Sequence, residues 1–219
     1  MNKVFSIALD GPAGAGKSSV AKAIAAQMGA VYLDTGAMYR TMGLYMDRNG
    51  IDGAEDIAAA CEKPVIEMWF DADKQHMMLD GEDVTDVIRS PEASMLASKV
   101  GTVGAVRARL VQLQREFAAG HSVVMDGRDI GTDVLPDATL KIFLTASPEE
   151  RARRRVKQSG GDFEKVLADI IQRDYNDSHR AVSPMRQAED AILVDTSDMT
   201  EQEVIDHIIH LAEKAIAEA

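Results

Sequence analysis

Residues 11–18 read Gly-Pro-Ala-Gly-Ala-Gly-Lys-Ser, and with their flanks they constrain the fold more than any other segment. An apolar run from Val4 to Leu9 comes before them, and a helical pattern from Ser18 to about Met28 comes after. The spacing satisfies G-x-x-x-x-G-K-[ST] in a strand–loop–helix setting, the signature of a phosphate-binding loop. The glycines let the backbone curl until its N–H groups converge, and the helix start adds a positive dipole end. Gly11, Pro12, Ala13, Gly14, Ala15, Gly16, Lys17, Ser18 and Ser19 are therefore candidate nucleotide-phosphate contacts, with Lys17 as a mobile point charge. Gly14-x-Gly16-x-x-Ser19 also approaches the dinucleotide fingerprint, with Asp34 at a plausible distance. However, Ser19 stands where a third glycine belongs, and that reading leaves Lys17-Ser18 unexplained.

Short apolar runs alternate with helical patterns along the chain. Val31–Leu33, Ser122–Met125, Leu140–Leu144 and Ile192–Val194 read as further strands. Helical patterns fall around Ala37–Met46, Ala54–Cys61, Ala105–Ala118 and Phe163–Asn176. Val65–Phe70 and Gln75–Leu79 flank a polar turn at Asp71–Lys74 and suggest a hairpin packed by Trp69. Ser90-Pro91 offers an N-cap and an N1 proline; Ser147–Glu150 and Thr200–Glu203 read as capping boxes, and Gly160-Gly161 breaks a helix. Strands separated by helices predict an α/β fold: a parallel sheet of about five strands with helices on both faces. Residues 36–100 interrupt the pattern as an insertion. Their low aromatic content and lack of a glycine linker argue against a separate folding unit.

Asp126 closes the strand Val123–Met125 at the carboxyl edge, where open α/β sheets hold ligands. It and Ser18 are the candidate Mg²⁺ ligands, Asp126 directly or through water. The chain carries 24 Lys and Arg against 36 Asp and Glu, a net charge of −12, which disfavours nucleic acid and anionic membrane as partners. The charge is uneven: from Arg151 to Arg186, nine basic residues meet five acidic ones. No apolar run approaches the ~20 residues a bilayer span needs, and the N-terminal one is too short for a signal peptide. One cysteine, Cys61, permits no intrachain disulfide and fits a reducing, cytoplasmic home. No heptad or exposed apolar stripe demands a partner, so a monomer is expected.

The sequence has no guanine-reading N-K-x-D motif but is rich in arginine near predicted loops and helix ends. Transfer between two phosphates gathers negative charge that arginine neutralises in bidentate geometry, and an anionic acceptor needs no general base. Leu33-Asp34-Thr35-Gly36-Ala37-Met38-Tyr39-Arg40, Asp126-Gly127-Arg128-Asp129-Ile130-Gly131-Thr132 and Arg173 through Pro184 together resemble the bacterial cytidylate kinase family, over nearly the whole chain in order and spacing. The resemblance implies ATP-dependent phosphorylation of CMP or dCMP. It implies a core at 1–35, 101–146 and 162–219, a nucleoside-monophosphate subdomain at 36–100 and an arginine-bearing lid at 147–161.

By the same resemblance, Thr35 and Tyr39 belong to the CMP-binding set. Arg40, Arg128 and Arg180 would grip the acceptor phosphate; Ser98, Arg107 and Asp129 would read cytosine; Arg173 and Asp177 would hold the sugar hydroxyls. Arg151 and Arg155 share a helix face and are expected to point at the transferring phosphoryl, so Lys17, Arg128, Arg151, Arg155 and Arg180 form the catalytic set. Another small-molecule P-loop kinase, or a non-catalytic nucleotide-sensing module, would share the loop; the Asp126–Thr132 and Arg173–Pro184 segments weigh against both. His207 and His210 lie on an acidic terminal helix and read as surface residues, and the twelve methionines read as core filler.

Overall fold

The computed structural model describes residues 4–71 and 74–218. Strand β1 (Ser6–Asp10) is the centre of a five-stranded sheet. With β2 (Val31–Asp34), β6 (Val123–Asp126), β7 (Leu140–Thr145) and β8 (Ile192–Asp195), the order is β2-β6-β1-β7-β8. The pairings of β1 with β6, of β1 with β7 and of β7 with β8 are parallel. Ile7, Ala8 and Leu9 are all buried, as a central parallel strand covered on both faces requires. The expected five-stranded α/β architecture with helices on both faces is what the chain adopts.

By contact density the chain divides into two compact units, 1–32 with 121–219, and 33–120. In the first, α1 (Lys17–Met28) and α8 (Glu201–Glu218) supply apolar stripes at helical spacing. Val20 and Ile24 from α1, and Val204 and Ile208 from α8, join Ile7, Leu9, Val124, Ile142 and Leu144 in one core. The Thr200 capping box is complete: the Thr200 amide and hydroxyl both donate to Glu203, and the Glu203 amide donates back to the Thr200 hydroxyl. At α6 (Pro148–Ser159) only half the expected box forms. Ser147 accepts from the Glu150 amide, but the Glu150 carboxylate turns to Arg153 and Arg154. Gly160, with φ 72° and ψ −168°, ends α6, and Asp162 caps α7 (Phe163–His179).

The second unit holds α2 (Thr35–Arg48), α3 (Ala54–Ala60), α4 (Pro91–Val100) and α5 (Gly104–Gly120). A small antiparallel sheet, β3 (Ile66–Asp71), β4 (Lys74–Leu79) and β5 (Glu82–Asp83), completes it. The hairpin is as expected; residues 72 and 73 of its turn lie outside the described residues. Trp69 is exposed and packs the hairpin only across it, stacked on His76 with ring centroids 3.9 Å apart. Sequence composition gave no reason to expect a second core, yet this unit has one. Met38, Met42, Met46 and Met77 fill it with Ile57, Leu79, Val106 and Leu110. Flexible thioethers supply much of its fully buried volume, with Tyr39 and Tyr45 partly buried against it, which is why aromatic content is a poor guide here.

Candidate functional site

The phosphate loop takes the conformation its glycines permit. Gly11 has φ 142°, and a Cβ there would lie 1.9 Å from the Leu144 carbonyl oxygen, so no other residue fits. Gly14 and Gly16 are also left-handed. Lys17, at the start of α1, is buried and donates to the Pro12 carbonyl at 2.7 Å. Burial holds its ammonium well below the usual lysine range, and Arg128 pushes the same way, while Asp126 and Asp10 oppose both. Ser19 follows on the exposed side of the first helical turn.

Parallel pairing sets Leu9 beside Asp126 in register, which brings the end of β6 to the loop. The Ser18 hydroxyl donates to Asp126 Oδ2 at 2.7 Å, and the Tyr32 hydroxyl donates to Oδ1 at 2.8 Å. A hydroxyl and a carboxylate side by side form a hard-oxygen donor set suited to Mg²⁺. The sequence reading missed Tyr32, whose ring lies in a strand that reads simply as apolar.

In the same unit the arginines gather around α7. Arg128 Nε donates to Asp177 Oδ2 at 2.7 Å, and Arg180 Nη2 to Asp129 Oδ1 at 3.0 Å. Arg173, exposed at its outer face, is held below the usual arginine range, first by desolvation among its neighbours and then by Arg128. Arg173 and Asp177, four residues apart on α7, share one face, so the helix presents a guanidinium and a carboxylate together. Arg151 is buried. Its Nη1 donates to Asp174 Oδ2 at 2.6 Å and to the Ala13 carbonyl at 3.0 Å, and its Nε donates to Ala146. Thus Arg151 braces the phosphate loop against α7. Arg155, one turn on, is exposed and acts electrostatically on Arg173. Arg154, between them, is tied to Thr196.

In the second unit, Asp34 is the N-cap of α2 and accepts from the Ala37 amide at 2.9 Å. Its other oxygen accepts from Arg40 Nη2 at 2.9 Å. Gly36 makes room for this pair: a Cβ there would stand 2.9 Å from Arg40 Nη1 and 3.2 Å from Asp34 Oδ1. Thr35 is buried beside them. Gln75 on β4 accepts from the Asp34 amide at 2.7 Å, a tie the sequence does not signal because 41 residues separate the two. The Arg107 guanidinium lies over the Tyr39 ring, 5.5 Å from its centroid, so these two residues of the expected CMP-binding set meet. Ser98 is exposed on α4, where its hydroxyl donates to the Ser94 carbonyl of its own helix.

The described residues contain no cluster of three or more His, Cys, Asp and Glu that could hold a metal. His207 and His210 are exposed, and Cys61 is buried, its thiol pushed up by burial. Among the described residues no helix is long and apolar enough to cross a membrane.

A family model described as cytidylate kinase matches residues 7–214. The chain is 53% identical over 214 residues to the cytidylate kinase of Mycobacterium leprae (strain Br4923), covering 95% of both chains. It is 47% identical over 221 residues to the cytidylate kinase of Caldicellulosiruptor saccharolyticus, covering 98% of both. Among solved structures, an uncharacterized protein from Eubacterium ventriosum ATCC 27560 shares the fold, with a TM-score of 0.55 at 14% identity over 95% of this chain and 98% of that one.

Proposed function

The chain belongs to the cytidylate kinase family, and from that premise we propose that it transfers the γ-phosphoryl of ATP to CMP or dCMP, releasing CDP or dCDP and ADP. The observation that carries this reading is the phosphate loop with Lys17 and Ser18 beside Asp126, in a chain matched nearly end to end by the family. An oxygen of the acceptor phosphate attacks the γ-phosphorus in line as the bond to the ADP oxygen breaks. The attacking oxygen is already anionic, so no side chain has to remove a proton, and catalysis rests on positioning and charge.

Lys17 and the loop amides hold the donor phosphates. Ser18 and Asp126 would hold Mg²⁺, which supplies charge neutralisation at the β and γ oxygens when bound. Arg128, Arg180 and Arg40 take the acceptor phosphate, while Arg173 and Asp177 take the sugar hydroxyls, in the roles the family resemblance gives them. Arg155 offers the mobile lid charge, and Arg151 supports the loop. Thr35 and Tyr39 sit in the CMP set with Arg40. Asp129 accepts from the cytosine amino group, and Arg107 and Ser98 donate to its carbonyl. Uracil presents a carbonyl where cytosine has its amino group, so the carboxylate would face a lone pair and reject it. The segment 147–161 serves as a lid whose closure keeps water from the γ-phosphorus. The single cysteine and the acidic surface fit a monomer acting in the cytoplasm.

A coupled assay of ADP release with CMP, dCMP, UMP and AMP tests the reading. CMP and dCMP should turn over well ahead of the other two; equal rates on all four would remove the cytosine assignment.

A further inference from the structure

Residues 127–129, which follow β6 and include two residues assigned to the acceptor, have no regular secondary structure until a single π turn runs from Ile130 to Val134. Within that turn the Asp129 carbonyl accepts from the Asp133 and Val134 amides. The turn's first amides are satisfied from elsewhere. Asp10, the last residue of β1, accepts from the Ile130 N–H at 2.8 Å through Oδ1 and from the Gly131 N–H at 2.7 Å through Oδ2. Its side chain is buried at 5% exposure and is spent wholly on a segment 120 residues away. The next residue along the chain is Gly11, the first of the phosphate loop.

We propose that Asp10 is a positioning residue for base selectivity: its carboxylate pegs the turn that presents Arg128 and Asp129 to the acceptor nucleotide, and ties that turn to the root of the phosphate loop. Three features support this. A carboxylate accepts on both oxygens, so it can take one N–H on each, whereas an amide would present a donor NH2 to one of them. Gly131 leaves little room at the contact, because a Cβ there would lie 3.1 Å from Lys141 Cδ, close enough to make that side chain shift, and would touch Asp10 Oδ2 at 3.4 Å. Lys141 cannot easily yield, since its ammonium is pinned by both oxygens of Asp190. Asp10 touches neither substrate in this account; it acts through Asp129 and Arg128. The selectivity half of the inference rests on the cytidylate kinase reading above.

Two variants test it, Asp10→Asn and Gly131→Ala, the second keeping the test open should the first fail to fold. Hydrogen exchange at the Ile130 and Gly131 amides should speed up at least about tenfold in each, as a lost charge-assisted bond implies. The CMP KM should rise about tenfold and the preference for CMP over UMP should fall by a similar factor. ATP binding should not weaken, because Asp10→Asn removes a negative charge near the phosphate loop. Unchanged exchange, or an unchanged CMP KM and CMP:UMP ratio in a folded variant, would overturn the assignment. So would a loss confined to ATP binding. If the wild-type enzyme itself fails to prefer CMP, the substrate reading falls, and exchange at the two amides alone decides whether Asp10 holds the turn.

Discussion

Two residues show how much of this molecule is decided by single atoms. Gly36 lies inside the Asp34–Arg40 pair, where a methyl group would press on the guanidinium at 2.9 Å. Gly36→Ala should therefore push Arg40 off Asp34 and raise the CMP KM about tenfold, the equivalent of roughly one charge-assisted hydrogen bond, with ATP affinity unchanged. Steady-state kinetics with each substrate varied in turn would check it. Asp10 carries a different signature: burial lifts its carboxyl to about 6 from the ordinary 3.8, even against two hydrogen bonds that favour the charge. A raised folded-state value means the folded protein binds the extra proton. Its stabilising contribution is complete below pH 3.8 and is lost as pH rises through 6, a swing of up to about 3 kcal/mol. Urea midpoints of the wild type and Asp10→Asn, compared between pH 4 and pH 7, should show the wild type losing ground to the variant across that window; parallel profiles would refute it.

Among elements, those built from local pattern were legible in advance. The apolar runs of β1 and β7, the Thr200 capping box and the glycine stop at Gly160 all follow from near neighbours in sequence. Pairings that join distant segments were not. The π turn at Ile130–Val134 has no helical pattern of its own; it exists because Asp10 satisfies its amides. The Ser147 box closes only halfway, because Arg153 and Arg154 compete for Glu150 and nothing in the four-residue motif says which partner wins. Gln75 is a third case. From β4 it holds the Asp34 amide at the start of α2, so the small sheet fixes the entry of the helix that bears Arg40. Gln75→Ala would leave that amide without its partner, at about 1–3 kcal/mol if it stays buried. The expected result is a lower urea midpoint and a raised CMP KM at unchanged ATP affinity; an unaltered CMP KM would show that β4 does not set the helix entry.

At the scale of the whole molecule, the acidic total conceals a division of labour. The net charge of −12 coexists with the arginines around α7, where Asp174, Asp177 and Asp129 hold guanidinium groups in place. Composition alone does not point to a second core, because methionine supplies what aromatic counting cannot see. That choice of filler has a chemical consequence. Thioethers oxidise to sulfoxides, and a sulfoxide is too polar for an apolar interior. Met42, fully buried, can meet peroxide only when residues 33–120 open, whereas Met95, at 67% exposure, meets it at once. Under dilute peroxide, peptide mass spectrometry should find Met95 modified quickly and Met42 slowly, and CMP turnover should follow the second rate. In the other half the core around Ile7 and Ile24 is aliphatic, with Met28 and Met199 packed at its margin and Met125 buried on β6, so fewer thioethers run that clock there and peroxide would age the two halves of the enzyme at different speeds.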